Sequence, residues 1–144
     1  GEAYTTFIDN FNAAQETFRR LPPERQPDYV GVSSRDYIDW AVVYMLAHRD
    51  EFRLILQCSD GTRYNRLIDE MVEIETKATD DFLAVLDGMS HEHGNISPML
   101  EHIMVSAMFT GFIVLHDMSC TEALEYTTQL REFFTAGWLK IMGL

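Results

Sequence analysis

Trp40, Tyr44 and His48 stand four residues apart, a spacing that puts them on one side of a helix. Two aromatic rings with polar tips and one imidazole suit an apolar pocket that orients its ligand through a few polar groups. The same spacing also serves plain core packing. Acid-base and metal chemistry find little footing. His91 and His93 lie beside Asp87 in a polar loop, but two loop histidines lack a third fixed ligand. His102 and His116 are fourteen residues apart, about 21 Å along a helix at ~1.5 Å per residue, too far to share one ion. A di-iron bundle needs inward-facing Glu-x-x-His pairs; Glu92-His93 and Glu101-His102 are adjacent and point apart. No Gly-rich phosphate loop, Gly-x-Ser-x-Gly elbow or zinc motif is present. Cys58 has no paired histidine and reads as an inert thiol. The chain is expected to bind rather than catalyse, with no metal and no cofactor.

Positioning such groups falls to helices. Tyr4, Phe7, Ile8, Phe11, Ala14 and Phe18 predict a first helix over Tyr4 to Arg20. Pro22, Pro23 and Pro27 predict a loop through Gly31. A second helix is expected from Ser33 or Ser34, where Ser33 and Asp36 resemble a capping box. It is apolar on nearly every side as far as Ala47, as a helix central to a bundle would be. A short third helix covers Asp50 to Gln57, and Ser59-Asp60-Gly61 breaks the chain. The fourth runs from Thr62 to Leu86, with Glu73 and Lys77 as an exposed pair. Ser97-Pro98 caps a fifth helix reaching His116, and Ser119-Cys120-Thr121-Glu122 caps a sixth. No strand of convincing length is visible, so the class is all-α: a six-helix bundle forming a single domain over residues 1–144.

The fifth helix is apolar almost all round yet lies near the chain end, so its outer side needs cover. The simplest cover is a second copy. The last two helices of each protomer would then form a four-helix, two-fold interface. Met108, Gly111, Phe112, Leu115, Tyr126, Leu130, Phe133, Phe134, Gly137, Trp138 and Ile141 are the residues expected there.

Composition narrows the partners. The chain has 144 residues, 47% of them hydrophobic, and a net charge of −12. Such acidity repels phosphate backbones, so this chain alone should bind no nucleic acid. Two cysteines form no disulfide framework and fit a reducing compartment. The start has no signal-peptide pattern. The longest apolar run, Trp40 to Ala47, falls short of the ~20 residues of a membrane span. A cytoplasmic chain with no membrane contact is expected.

Two stretches then carry a resemblance. Asp50-Glu51-Phe52-Arg53-Leu54-Ile55-Leu56, followed by Ser59-Asp60-Gly61-Thr62-Arg63-Tyr64, resembles a helix junction in a subgroup of TetR-family transcriptional regulators. His116-Asp117-Met118 and the run Leu130-Arg131-Glu132-Phe133-Phe134-Thr135-Ala136-Gly137-Trp138-Leu139-Lys140 are similar to that subgroup's last two helices. The likeness is close from Asp50 onward and loose over residues 1–49. It implies the ligand-binding and dimerisation half of a regulator, a repressor in its full-length form, with the DNA-reading helix-turn-helix expected upstream of residue 1. It also implies an effector pocket among the first, second, fourth and fifth helices. Trp40, Tyr44, His48, Tyr64, Ile68, Met71, Glu75, His102 and Ser106 are the candidate lining residues, and the implied effector is small and mostly apolar. The competing expectation is a helical dimerisation or protein-interaction module with a filled core and no effector.

Overall fold

Apolar residues three and four apart, with breaks confined to short Pro, Gly and Ser clusters, fold into helices packed through their greasy stripes. A computed structural model of the chain describes residues 1–56 and 62–144. The side chains of Leu56, of residues 62–65 and of Ile113 lie outside the described residues. Among the described residues there are six α-helices and no strand: α1 (Glu2–Arg19), α2 (Gln26–Ala47), α3 (Arg49–Leu56), α4 (Thr62–Gly88), α5 (Pro98–Thr110) and α6 (Cys120–Met142). Short 3-10 turns at Pro23–Arg25 and Ile113–Asp117 join α1 to α2 and α5 to α6. α2 is the central helix. It packs along α6 and α1 and touches α3 and both 3-10 turns, while α5 lies against α4 and α6.

Two elements depart from the sequence reading. α2 begins at Gln26 rather than Ser33 or Ser34. Pro27 occupies its first turn, where a missing N–H leaves no bond unmade and the fixed φ suits the helix. The proline cluster therefore starts the helix instead of holding a loop open. Gln26 is buried, and its amide donates to the carbonyls of Leu21 (3.1 Å) and Arg19 (3.4 Å), satisfying the end of α1.

α5 stops at Thr110 instead of running to His116. In a continuing α-helix the Gly111 carbonyl would accept from residue 115. Here the Tyr126 hydroxyl donates to that carbonyl at 2.8 Å, and the Leu115 N–H turns to Phe112 at 3.2 Å in 3-10 fashion. Gly111 also passes close to α6: a Cβ there would lie 2.9 Å from Leu130 Cδ2. The Arg49 guanidinium holds the following turn by donating to the carbonyls of His116 (2.9 Å) and Met118 (2.8 Å). The stretch Pro98–Asp117 is long and apolar enough in composition to cross a membrane. Counting uninterrupted apolar runs overlooks it because Glu101, His102, Ser106 and Thr110 punctuate it. It is divided at Gly111, and Val105 and Phe109 are buried in the chain's own core.

The expected caps form at both later helices. Ser97 Oγ accepts from Leu100 N at 3.4 Å, and Ser119 Oγ accepts from Glu122 N at 3.1 Å. Gly143 ends α6 with φ +73°, the left-handed conformation that suits glycine. Lys77 pairs with Asp81 at 3.2 Å rather than with Glu73.

The apolar interior forms two clusters. The larger joins α1, α2, α3, α4 and α5 through Phe7, Phe11, Val42, Phe52, Met71 and Phe109. Its rings meet edge to face, Phe7 on Phe52 at 5.3 Å and Phe11 on Phe109 at 5.6 Å. The smaller gathers Phe82, Leu86 and Met142, with Phe18, Val30 and Trp138 packed on it. Trp138 packs against both clusters.

Candidate ligand cavity

The two clusters do not close on one another. Between them lies a cavity of about 140 Å³, walled by five helices. α1 contributes Phe11, Ala14, Gln15 and Phe18, one face at helical spacing. α2 contributes Val30, on the segment gained by its early start, together with Ser33, Ser34, Tyr37 and Ile38. Glu75, Thr79 and Phe82 come from α4, and Val105, Met108 and Phe109 from α5. α6 supplies Arg131, Phe134, Thr135 and Trp138, spaced three, four and seven residues from the arginine.

Three polar groups on this wall are held in unusual states. Glu75 Oε2 accepts from Gln15 Nε2 at 2.9 Å. Burial pushes its carboxyl up to about 7, and the nearby charge of Glu101 acts in the same direction against the opposing Gln15 bond. Tyr37 has a buried hydroxyl with no hydrogen-bond partner. Burial raises its pKa, and the Glu75 charge adds to the effect. Arg131 carries a buried Nε with no partner, and no ion pair joins it to an acid among the described residues. Behind the wall Glu101, 5% exposed, is raised by burial first and by Asp80 second.

Of the residues expected to line a pocket, Glu75 stands on the cavity wall. Trp40, Tyr44 and His48 do share a face of α2, as their spacing requires, but they form a ladder on the large cluster, beyond the cavity. Trp40 stacks on Tyr44 at 4.9 Å, and Tyr44 meets the His48 ring at 4.2 Å. Met71 is core at 2% exposure, and Ile68 packs against that core. His102 is exposed on α5, and Ser106 is half-buried away from the wall. The Tyr64 side chain lies outside the described residues.

The set expected at a dimer interface is turned mostly inward. Leu115 and Phe112 are 0% and 6% exposed, so their apolar surface is already spent inside the protomer. Met108, Phe134 and Trp138 line the cavity. Gly111, Tyr126 and Leu130 meet one another where α5 ends. The Ile141 carbonyl accepts from Gly94 N at 3.2 Å. Phe133, at 75% exposure, and Gly137 face outward. α6 carries apolar residues around more than half of its circumference, and sequence spacing alone could not say which arc α2 would cover.

Sequence reasoning passed over Tyr37 and Arg131. Arg131 had a legible signal: it opens an otherwise apolar arc running through Phe134, Trp138 and Met142. Tyr37 lay inside the expected second helix, and Ser33 and Ser34 stood at its expected start, so nothing in the local pattern set them apart.

Fold and cavity together define a class: an all-helical body with a partly open, mostly apolar pocket among its helices and a carboxyl, a phenol and a guanidinium on its wall. No family model, no curated protein and no solved structure matches the chain.

Proposed function

We propose that this chain is the effector-sensing and dimerisation domain of a TetR-like transcriptional regulator, acting in the cytoplasm and binding operator DNA in its full-length form. The observation that carries the reading is the cavity. A mostly apolar space with a few converging polar groups is the usual form of a small-molecule site. Its walls come from α1, α2, α4, α5 and α6, so an occupant touches nearly every helix and can favour one arrangement of the bundle over another. A ligand shifts such an equilibrium only by its differential affinity for the two arrangements. α1 is the natural output: Phe11, Ala14, Gln15 and Phe18 touch the space, and by the family resemblance this helix leads toward the DNA-reading head. The role is binding, without catalysis.

A homodimer is the second part of the proposal. Met99, Ile103 and Val114 are left exposed along α5 and the turn after it, and Phe133 on α6. Apolar side chains left exposed on these segments fit a protein partner, here a second copy.

The test has two arms. The purified chain is melted against a panel of small hydrophobic compounds, and the full-length protein is assayed for release of operator DNA by compounds that stabilise it. The proposal expects at least one compound to raise the melting temperature and weaken DNA binding. A full-length protein that binds no DNA, or compounds that stabilise the body and leave DNA binding unchanged, would overturn it.

A further inference from the structure

We infer that the cavity takes a small apolar carboxylate, its anionic oxygens on the Arg131 guanidinium and its hydrocarbon body between Phe11, Phe82, Phe109 and Trp138. The inference rests on the cavity being an effector site and adds the chemical class of the effector.

The argument begins with charge. Acidic residues outnumber Lys and Arg by 23 to 11, so a basic side chain has partners in plenty. Arg19, Arg20, Arg35 and Arg66 each hold an acid within 3.4 Å, and Arg49 donates to two backbone carbonyls. Arg131 lines the cavity with its Nε shielded from water and without an acceptor. The other charged group on the wall, Glu75, is not its partner: Glu75 is held by Gln15 and feels the charge of Glu101.

Arg131 is half-buried, and its shielded Nε without an acceptor is costly, a penalty that is removed when an anion arrives. A neutral ligand can at most accept a hydrogen bond and leaves the positive charge unbalanced, and a cationic one adds like charge. A carboxylate matches the planar fork with two parallel bonds. One arginine on an apolar wall also balances a single negative charge, whereas a phosphate would bring a second charge with no counterpart. The aromatic residues around it then select the rest of the molecule. Phe11, Phe82, Phe109 and Trp138 offer ring faces and edges, and Met108 can adapt to the shape that fills them.

The test uses the intact chain carrying Trp40→Phe, which leaves Trp138, on the cavity wall, as the fluorescent reporter. The probes are a series of phenylalkanoates, from phenylacetate to 6-phenylhexanoate, and the amide of each. The expected result is that the best acid binds at least tenfold tighter than its own amide. Arg131→Met brings acid and amide within twofold of each other, while Arg131→Lys keeps part of the preference. If Arg131→Met fails to keep its helical circular dichroism, Arg131→Gln takes its place and the acid–amide comparison on the parent chain still decides. Equal binding of acid and amide, or a preference that survives loss of the arginine, overturns the inference while leaving a ligand cavity in place. No response of Trp138 to any acid, any amide or to toluene overturns both this inference and the effector reading.

Discussion

Replacing Glu75 by glutamine (E75Q) should stabilise the protein, and the gain should grow with pH. The carboxyl is raised from 4.5 to about 7 in the folded state, burial being the main cause. A raised carboxyl binds its proton more tightly folded than unfolded, so the folded state loses stability as pH climbs from 4.5 toward 7. Above that window the whole penalty is present, and below 4.5 it is absent. At about 1.4 kcal/mol per pKa unit the full penalty is about 3 kcal/mol, an order-of-magnitude figure. The introduced amide would keep an oxygen for the Gln15 side chain, which now donates to Oε2 of Glu75 at 2.9 Å, so the substitution isolates the charge. Urea unfolding of parent and E75Q from pH 5 to 8.5 should give curves that diverge, the variant ahead by about 3 kcal/mol at the alkaline end. In a domain this size that is a melting-temperature gain of about 10 °C. Parallel curves across the whole range would mean that Glu75 is freely hydrated, and the cavity would then be an inlet of bulk water instead of a dry site.

Four further outcomes are expected. Gly111→Ala should cost about 1–3 kcal/mol in urea unfolding, because its Cβ would sit 2.9 Å from Leu130 Cδ2, 3.0 Å from the Tyr126 hydroxyl and 3.1 Å from the Met108 carbonyl. The His93 ring bonds the Gly94 carbonyl at 2.9 Å and Asp87 at 2.7 Å, so its pKa should lie above 6.5 when followed by NMR. Its contribution to stability is fully present below 6.5 and fades as pH rises through the folded value; a His93 that titrates below 6.5 refutes this. Phe133→Asp should weaken self-association in sedimentation velocity with helicity unchanged, since the ring is 75% exposed in the protomer; a parent chain that is monomeric at every concentration contradicts it. Ala14→Leu should fill part of the cavity, stabilise the chain by about 1 kcal/mol and abolish the Trp138 response to ligands; stabilisation with ligand binding intact would place the ligand elsewhere.

Helix identity was the most legible level of this sequence. The stripe from Phe7 to Phe18, the Ser97-Pro98 start and the Ser119 cap each announce a helix through local chemistry, and all three form. What local chemistry could not say is where a helix turns its arc. Pro27 fits both a loop and a first helical turn, and only the burial of Gln26 against the end of α1 favours the second. Gly111 reads as a tolerated residue inside a long apolar helix until Tyr126, fifteen residues on, takes its carbonyl. The cavity was less legible still. Trp40, Tyr44 and His48 have the composition of a pocket, but a ladder of rings also packs well, and Phe7 and Phe52 close on it. Tyr37 and Arg131 look ordinary in sequence and become conspicuous only when their polar atoms are found buried without partners.

Two of the buried polar atoms that lack a partner, on Tyr37 and Arg131, belong to residues of the cavity wall. Some buried polar groups elsewhere are answered, Gln26 by two carbonyls and Thr127 by the Ala123 carbonyl at 2.8 Å, while the Tyr4 hydroxyl, His91 Nε2 and Glu101 Oε1 are not. On the cavity wall stand an unmet phenol, an unmet guanidinium nitrogen and a carboxyl half-driven to its neutral form. Ala14 and Ala78 are the smallest apolar residues on that wall. Sequences agree with their folds at most positions, and local disagreement tends to collect where a site is kept. An apolar space with an unmet phenol, an unmet guanidinium nitrogen and a raised carboxyl on its wall is what the proposed ligand-binding role would use, and a module with a filled core would not need it.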